Sequence, residues 1–188
     1  MKLPLQVRQW MSGHSLDGLV EPTWVALEAR VASPNETASP VTGLRAALFR
    51  WQLFSRVTGG GSSNGSGLAY YTPVRTGLMA DGDLVLSVGG RTILLPFPGY
   101  EVRFRVSDDY GDPVTGPLPP GMMPDDMPEG LPCYRELTLL HGDPVRLTAR
   151  ITPFGAAGGG YRSAHAADFL ATYDEGPAVV EDLSPSAG

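Results

Sequence analysis

Lysine is nearly absent from this sequence, since Lys2 is the only lysine and every other basic residue is an arginine. We interpret this bias as the mark of a GC-rich bacterial genome. Basic charge is also scarce in total, because 14 basic residues stand against 20 acidic ones and give a formal net charge of -6. Nucleic-acid binding depends on neutralising phosphates with Lys and Arg. The acidic balance therefore argues against a nucleic-acid partner.

Cysteine and histidine are scarce too. The single cysteine, Cys133, excludes an intramolecular disulfide framework and every zinc site built from several cysteines. A lone cysteine is usually a small buried hydrophobe, and no base near Cys133 in the sequence marks it as a nucleophile. His14, His141 and His165 follow no metal-ligand or triad spacing. We predict no metal ion, no cofactor and no catalytic residue.

Long hydrophobic runs are missing as well. No segment approaches the roughly 18 apolar residues of a membrane span, and the start of the sequence lacks the apolar stretch of a signal peptide. We expect a soluble, cytoplasmic protein that meets a membrane only through a partner. Hydrophobic residues still make up 42% of the 188 residues, enough for one domain with a real core.

Glycine and proline are abundant, with 24 and 18 residues, as is typical of short strands joined by turns. Apolar and polar side chains alternate with period two in three segments: 25–31 (VALEARV), 100–106 (YEVRFRV) and 145–151 (VRLTARI). Successive side chains of a strand point to opposite faces, so each segment is predicted as a half-buried strand. Further strands are expected at 68–75 and 167–173.

The stretch SPVTGLRAALFRWQLF (39–54) also alternates after its opening turn, so we favour a strand over a helix here. The predicted inner face consists of Ala47, Phe49, Trp51, Leu53 and Val57. The opposite face consists of Arg50, Gln52 and Arg56. Ser39 belongs to the turn that contains Pro40 and Gly43, and we do not interpret it as a nucleophile.

These patterns predict a mainly β fold, a compact antiparallel barrel or sandwich with long loops and at most one or two short helices. The predicted domain organisation is an N-terminal arm (1–21), a β-rich domain (22–176) and a C-terminal tail (177–188). Inside the domain we expect a flexible Gly/Ser hairpin at 58–67 and an acidic Pro/Met loop at 108–132.

Three local features refine this outline. Gly89-Gly90 separates the apolar runs 84–88 and 92–95, which is a signal for a two-residue hairpin turn. A short helix is expected near 135–140 and another near the end of the chain. The Gly/Ser hairpin is not a P-loop, because no Lys-Ser or Lys-Thr pair follows it.

Acidic clusters are the nearest approach to a metal site: Asp81/Asp83, Asp108/Asp109/Asp112 and Asp125/Asp126/Glu129. Their oxygen atoms suit calcium, but none of the clusters has the EF-hand spacing. Acidic residues beside glycine and proline are typical of solvated turns, and that interpretation is the one we favour.

Large apolar side chains in loops are the candidate partner contacts. Met122, Met123 and Met127 would offer an adaptable contact surface, because methionine side chains repack easily. The alternative is that the loop folds its methionines back over the barrel. Trp10 precedes the first clear strand and needs burial either on the chain's own core or on a partner.

Three blocks resemble the GIDE-type domain, also called the "beside a membrane" (BAM) domain, over about residues 22–175. The first is VALEARV followed by SPVTG (39–43), where the family has a strand and an SP-[LV]-[ST]-G turn. The second is 83–102, which resembles the family's hairpin. The third is YRELTLLHGDPV (134–145), which resembles its E-x5-GD-x-V block.

The resemblance implies a β-rich interaction domain without a catalytic residue set. The eukaryotic mitochondrial ubiquitin ligase of this family ends in a cysteine-rich RING, and one cysteine cannot build a RING. Family members commonly carry transmembrane helices, which this sequence lacks. They also often have a cysteine shortly after the SP-x-x-G turn, where this chain has Ala46 and Ala47.

The leading functional prediction is a non-catalytic protein-interaction or adaptor domain from a bacterium, with other proteins or copies of itself as partners. The alternative is a structural subunit of a large multi-protein assembly, such as a phage-tail-like contractile injection particle, that uses its termini and loops as inter-subunit contacts. A third hypothesis is a hydrolase whose site is not visible in sequence, since no G-x-S-x-G elbow occurs.

Overall fold

The computed structural model describes residues 16–59, 68–80, 82–105, 110–154, 167–172 and 176–184. These residues form strands and no α-helix, so the predicted mainly β class is confirmed. The strands are β1 (Thr23–Val31), β2 (Thr37–Ala38), β3 (Arg45–Ala46), β4 (Leu48–Thr58), β5 (Ala69–Ala80), β6 (Leu84–Val88), β7 (Arg91–Leu95), β8 (Tyr100–Arg103), β9 (Asp112–Pro113), β10 (Leu131–Leu139), β11 (Pro144–Pro153), β12 (Phe169–Thr172) and β13 (Ala178–Asp182). The described ranges contain no helix long and apolar enough to cross a bilayer.

A small closed barrel forms one half of the fold. Its strands are hydrogen-bonded in the order β1-β6-β7-β12-β11, and β11 pairs back with β1 to close the ring. The β12–β7 pair is parallel and the other barrel pairs are antiparallel. Counted along the chain, the order around the ring is first, second, third, fifth, fourth, which is the connectivity of an OB-fold barrel.

The barrel core confirms the predicted alternation. Leu27 is partly buried, and the other described inward residues of the three alternating segments are buried: Val25, Ala29, Val31, Tyr100, Val102, Phe104, Val145, Leu147, Ala149 and Ile151. The charged residues between them, such as Glu28, Arg30 and Glu101, are exposed. The Gly89-Gly90 turn is confirmed between β6 and β7, with φ of 56° and 82°. Two positive φ angles are the geometry that a type I′ hairpin requires.

Both predicted terminal segments contribute to this core, so the domain boundaries need correction. Leu16 belongs to the predicted arm, yet it is only 2% exposed and packs in the barrel cluster. Ala178–Asp182 belongs to the predicted tail, yet it forms β13 between β11 and β8. Burial of Ala178 and Val180 explains why this segment is ordered into the sheet.

The second half is a four-stranded antiparallel sheet in the order β5-β4-β10-β9. The chain leaves the barrel after β1 to build β4 and β5, and again after β7 to build β9 and β10. The helix predicted at 135–140 is wrong, because this segment lies in β10 and pairs with β4 from Leu131↔Arg56 to Leu139↔Leu48. The residues of this segment are compatible with a helix or a strand, and pairing with a strand that is distant in sequence decides between the two.

The two faces of this sheet follow the prediction for 39–54 with one exception. Phe49, Trp51 and Leu53 are buried on one face, as expected. Val57 is 43% exposed, so its predicted burial is wrong. β10 begins at Leu131 opposite Arg56, so Val57 lies beyond the end of the β4–β10 pairing. The Gly/Ser hairpin is supported at its flanks, where Thr58 pairs with Ala69. Its tip, residues 60–67, lies outside the described ranges.

Arginine and aromatic side chains pack on the opposite face of the sheet. The Arg56 guanidinium lies 6.0 Å from the Tyr71 ring, and Tyr71 stacks on Tyr110 at 4.3 Å. Arg135 lies 5.3 Å from the Phe54 ring. Cation–π contacts of this kind let arginine pack against a sheet surface while keeping its charge. We call this side of the sheet the arginine face.

Candidate functional site

The face that carries Trp51 and Leu53 also carries a groove, and we call it the groove face. The groove lies between the turn residues 40–42 and the segment 111–118, and Tyr134 and Glu136 of β10 line it. It encloses about 490 Å³, which is within the range of ligand-binding clefts. No sequence pattern predicts this groove, which we call the Glu136 groove.

The turn that forms one wall is closed by its own hydrogen bonds. The Ser39 hydroxyl accepts the backbone N–H groups of Val41 and Thr42 at 3.1 and 3.0 Å. The Gly43 N–H donates to the Ser39 carbonyl at 3.0 Å, with a φ of +73° that favours glycine. Such side-chain-to-backbone bonds are typical of Ser in tight turns.

Three hydroxyl groups converge on the Glu136 carboxylate. Ser39 Oγ and the Tyr134 hydroxyl both donate to Oε1, the latter at 2.5 Å. Thr42 Oγ1 donates to Oε2 at 2.7 Å. A carboxylate offers about four acceptor positions, so these three donors leave one position open at Oε2.

Tyr134 is fixed as a hydrogen-bond donor in this cluster. Burial raises the pKa of its hydroxyl, and the hydrogen bond to the Glu136 carboxylate raises it further. The phenol therefore keeps its proton at neutral pH and holds the carboxylate in place.

The second wall is attached to the free side of β10. Asp112 and Pro113 of β9 pair with Tyr134 and Cys133, and the Val114 N–H donates to the Pro132 carbonyl at 2.9 Å. Gly111 makes the close approach possible, because a Cβ atom there would lie 2.1 Å from the Tyr134 carbonyl oxygen.

The loop that follows this wall folds back onto the sheet. Met122 is 6% exposed and packs with Phe49, Trp51, Leu53 and Tyr134, while Met127 is partly buried against the same cluster. Met123 alone among the three predicted contact methionines is prominently exposed, at 40%. Trp10 lies outside the described residues. Partner contact through these four residues stays a prediction.

The chemistry of Ser39 is that of a structural residue. Its oxygen accepts hydrogen bonds from two backbone N–H groups, and its O–H donates a hydrogen bond to Glu136. Both lone pairs of the oxygen are therefore occupied, and none remains for attack on a substrate. Cys133 is 1% exposed, and burial raises the pKa of its thiol, which disfavours the reactive thiolate.

The remaining candidates do not converge in the part of the chain that the structure describes. No group of three or more His, Cys, Asp or Glu side chains there could hold a metal ion. His141 lies exposed in the turn between β10 and β11. His14, His165, Asp81, Asp108 and Asp109 fall outside the described ranges.

No protein-family model, no curated protein and no solved structure matches this chain.

Proposed function

We propose that this chain is a non-catalytic protein-interaction domain that binds a segment of a partner protein in the Glu136 groove. The observation that carries the proposal is the groove itself, a cleft of about 490 Å³ whose lining combines apolar and polar side chains. Apolar clefts with a few fixed polar groups are typical binding sites. Because the Glu136 cluster is held by its own hydrogen bonds, the groove needs little ordering when a partner binds.

The resemblance to the GIDE-type domain supports the same proposal. SPVTG (39–43) and the block that contains Glu136 are far apart in sequence, and both belong to the groove. They meet through the hydrogen bonds that Ser39 and Thr42 donate to Glu136. A shared structural unit is a physical reason for the two blocks to occur together.

Peptides selected from a random library on the purified protein test the proposal. Val41→Trp fills the groove from its wall, and Val20→Trp is the matched control, since Val20 is 77% exposed and does not line the groove. We expect selected peptides to bind the wild type and Val20→Trp alike and Val41→Trp at least about tenfold more weakly. Equal binding by all three proteins, or no selected binder at all, would refute the groove as a binding site.

A second candidate, a structural subunit of a multi-protein assembly, is favoured by the outer edge of β5. Within the described residues this edge has no partner strand, and Arg75 is its only charged residue across 12 positions. Tyr70, at its free end, is 60% exposed. Free edges with little charge accept another strand, including one from a second copy of the chain, more readily than highly charged edges do.

Sedimentation velocity over a range of protein concentrations tests this second candidate. Copies that associate through β5 would sediment faster as concentration rises, and Tyr70→Lys would abolish that rise because a charge at the edge opposes pairing. Val20→Lys provides the matched control. A monomer at all concentrations would exclude assembly through this edge.

A further inference from the structure

We infer that the Glu136 groove recognises a basic side chain, the guanidinium of Arg or the ammonium of Lys, on an extended partner segment. The inference rests on the proposed function and adds the chemistry of the partner. Two of the residues that line the groove, Asp112 and Glu136, carry carboxylates, so the groove offers negative charge to a partner.

Among the described residues that line the groove, none directs a positive charge into it. Arg135 is their only basic member, and its guanidinium hydrogen-bonds to Gln52 Oε1 through Nε and Nη2 at 3.1 and 2.5 Å. Gln52 pairs with Arg135 on the arginine face, whereas Glu136 pairs with Trp51 on the groove face. Adjacent residues of a strand point to opposite faces, so the sheet separates the Arg135 charge from the two carboxylates.

Asp112 and Glu136 are diagonal neighbours on adjacent strands. Asp112 pairs directly with Tyr134, and Glu136 lies two residues further along the same face of β10. Diagonal neighbours have their Cα atoms about 7–8 Å apart and remain within reach of the same long side chain. One basic side chain in the groove is therefore within reach of both positions.

The acceptor inventory of Glu136 also favours a cation. Three hydroxyl donors orient its carboxylate and leave one acceptor position at Oε2. A charge-assisted hydrogen bond from Arg or Lys would satisfy this position. An anionic ligand would instead bring like charges together, which disfavours acidic peptides and nucleic acid.

The walls suit the rest of a basic side chain. Apolar surface in the lining of the groove comes from Pro40, Val41, Pro117 and Leu118. Arg and Lys bury their aliphatic stems along such surfaces while the charged head reaches a polar partner. A partner residue of this type would therefore use both the walls and the base of the groove.

Peptides that bind the wild type and fail on Val41→Trp provide the probe for this inference. We expect each to contain an Arg or Lys whose replacement by Gln weakens binding about tenfold. Asp112→Asn should weaken binding to a similar degree, whereas Asp126→Asn should leave it unchanged. The two variants change net charge equally, and Asp126 does not line the groove, so the comparison separates a local contact from general attraction to an acidic protein.

The outcomes distinguish the two proposals. Groove-dependent peptides without a required basic residue, or equal effects of Asp112→Asn and Asp126→Asn, would overturn the cation inference and leave the interaction function standing. A lack of any groove-dependent peptide would overturn both. An affinity that falls with added salt for the wild type, and falls less steeply for Asp112→Asn, is the expected positive result, since Glu136 keeps its charge in the variant.

Discussion

The hydroxyl of Ser39 donates a hydrogen bond to the carboxylate of Glu136 across 97 positions of sequence. This contact joins the turn after β2 to the middle of β10 and fixes one wall of the groove to its base. Ser39 also accepts two backbone N–H groups, so one side chain closes the turn and attaches it to the sheet.

Ser39→Ala should destabilise the fold by about 1–2 kcal/mol, because it removes a partly buried hydrogen bond to Glu136 and both bonds within the turn. Urea unfolding measures the change. Thr115→Ala, at an exposed groove position, is the control and should shift the free energy of unfolding by less than about 0.5 kcal/mol. Equal stabilities of the two variants would show that the Ser39 contacts contribute nothing.

Gly111→Ala should destabilise the protein by at least about 2 kcal/mol and displace β9 from β10. The residue has a φ of +80°, and an added Cβ would lie 2.1 Å from the Tyr134 carbonyl oxygen. Gly116→Ala is the matched control in the same segment, because a Cβ there meets nothing within 4 Å. The prediction fails if the two alanine variants unfold at the same urea concentration.

Met122 and Met123 are adjacent residues with opposite expected roles. Met122→Ala removes a side chain that is 6% exposed and should cost about 2 kcal/mol or more. Met123→Ala removes one that is 40% exposed and should change stability by less than about 0.5 kcal/mol. Thermal and urea unfolding of both variants check the difference. A costly Met123→Ala beside a neutral Met122→Ala would contradict the packing described here.

Asp168 should make the stability of the barrel depend on acidic pH. The Thr92 N–H, and after it Arg91, lower the pKa of this carboxyl from its usual 3.8. A lowered pKa in the folded state stabilises the fold above the unfolded value, and this contribution is lost as pH falls through the folded value. Urea unfolding from about pH 6 to about pH 3 should show a weaker acid dependence for Asp168→Asn than for the wild type.

Asp126→Asn serves as the control for that experiment, since Asp126 is exposed in the loop before β10. It should retain the acid dependence of the wild type. If Asp168→Asn also retains the acid dependence of the wild type, the hydrogen bonds that Thr92 donates to the Asp168 carboxylate do not stabilise the β12–β7 junction.

Local sequence patterns predict the positions of the strands better than they predict the contacts between residues that are distant in sequence. Alternation located Val145 and Ile151 in the core, and the Gly89-Gly90 dipeptide located a hairpin. A short helix is predicted at 135–140 without a decisive cap signal, and pairing with β4 makes this segment a strand instead.

The groove is built from contacts between residues that are distant in sequence, and a single sequence does not show which of these residues meet. SPVTG and the block containing Glu136 were both noted for their resemblance to one family, but nothing in their spacing predicts a hydrogen bond between Ser39 and Glu136. Likewise, the methionine loop had two open interpretations, and packing against Trp51 buries Met122 while Met123 stays exposed. Tertiary contacts, rather than local preference, settle such cases.

Amide chemical shifts of the protein, recorded while a selected peptide is added, test the central claim most directly. The account predicts that the perturbed amides cluster at 40–42, 111–118 and 134–136, the residues that line the groove. Val20→Trp should show the same pattern, and Val41→Trp should show none. Perturbations confined to the outer edge of β5, with the groove amides unmoved, would contradict it.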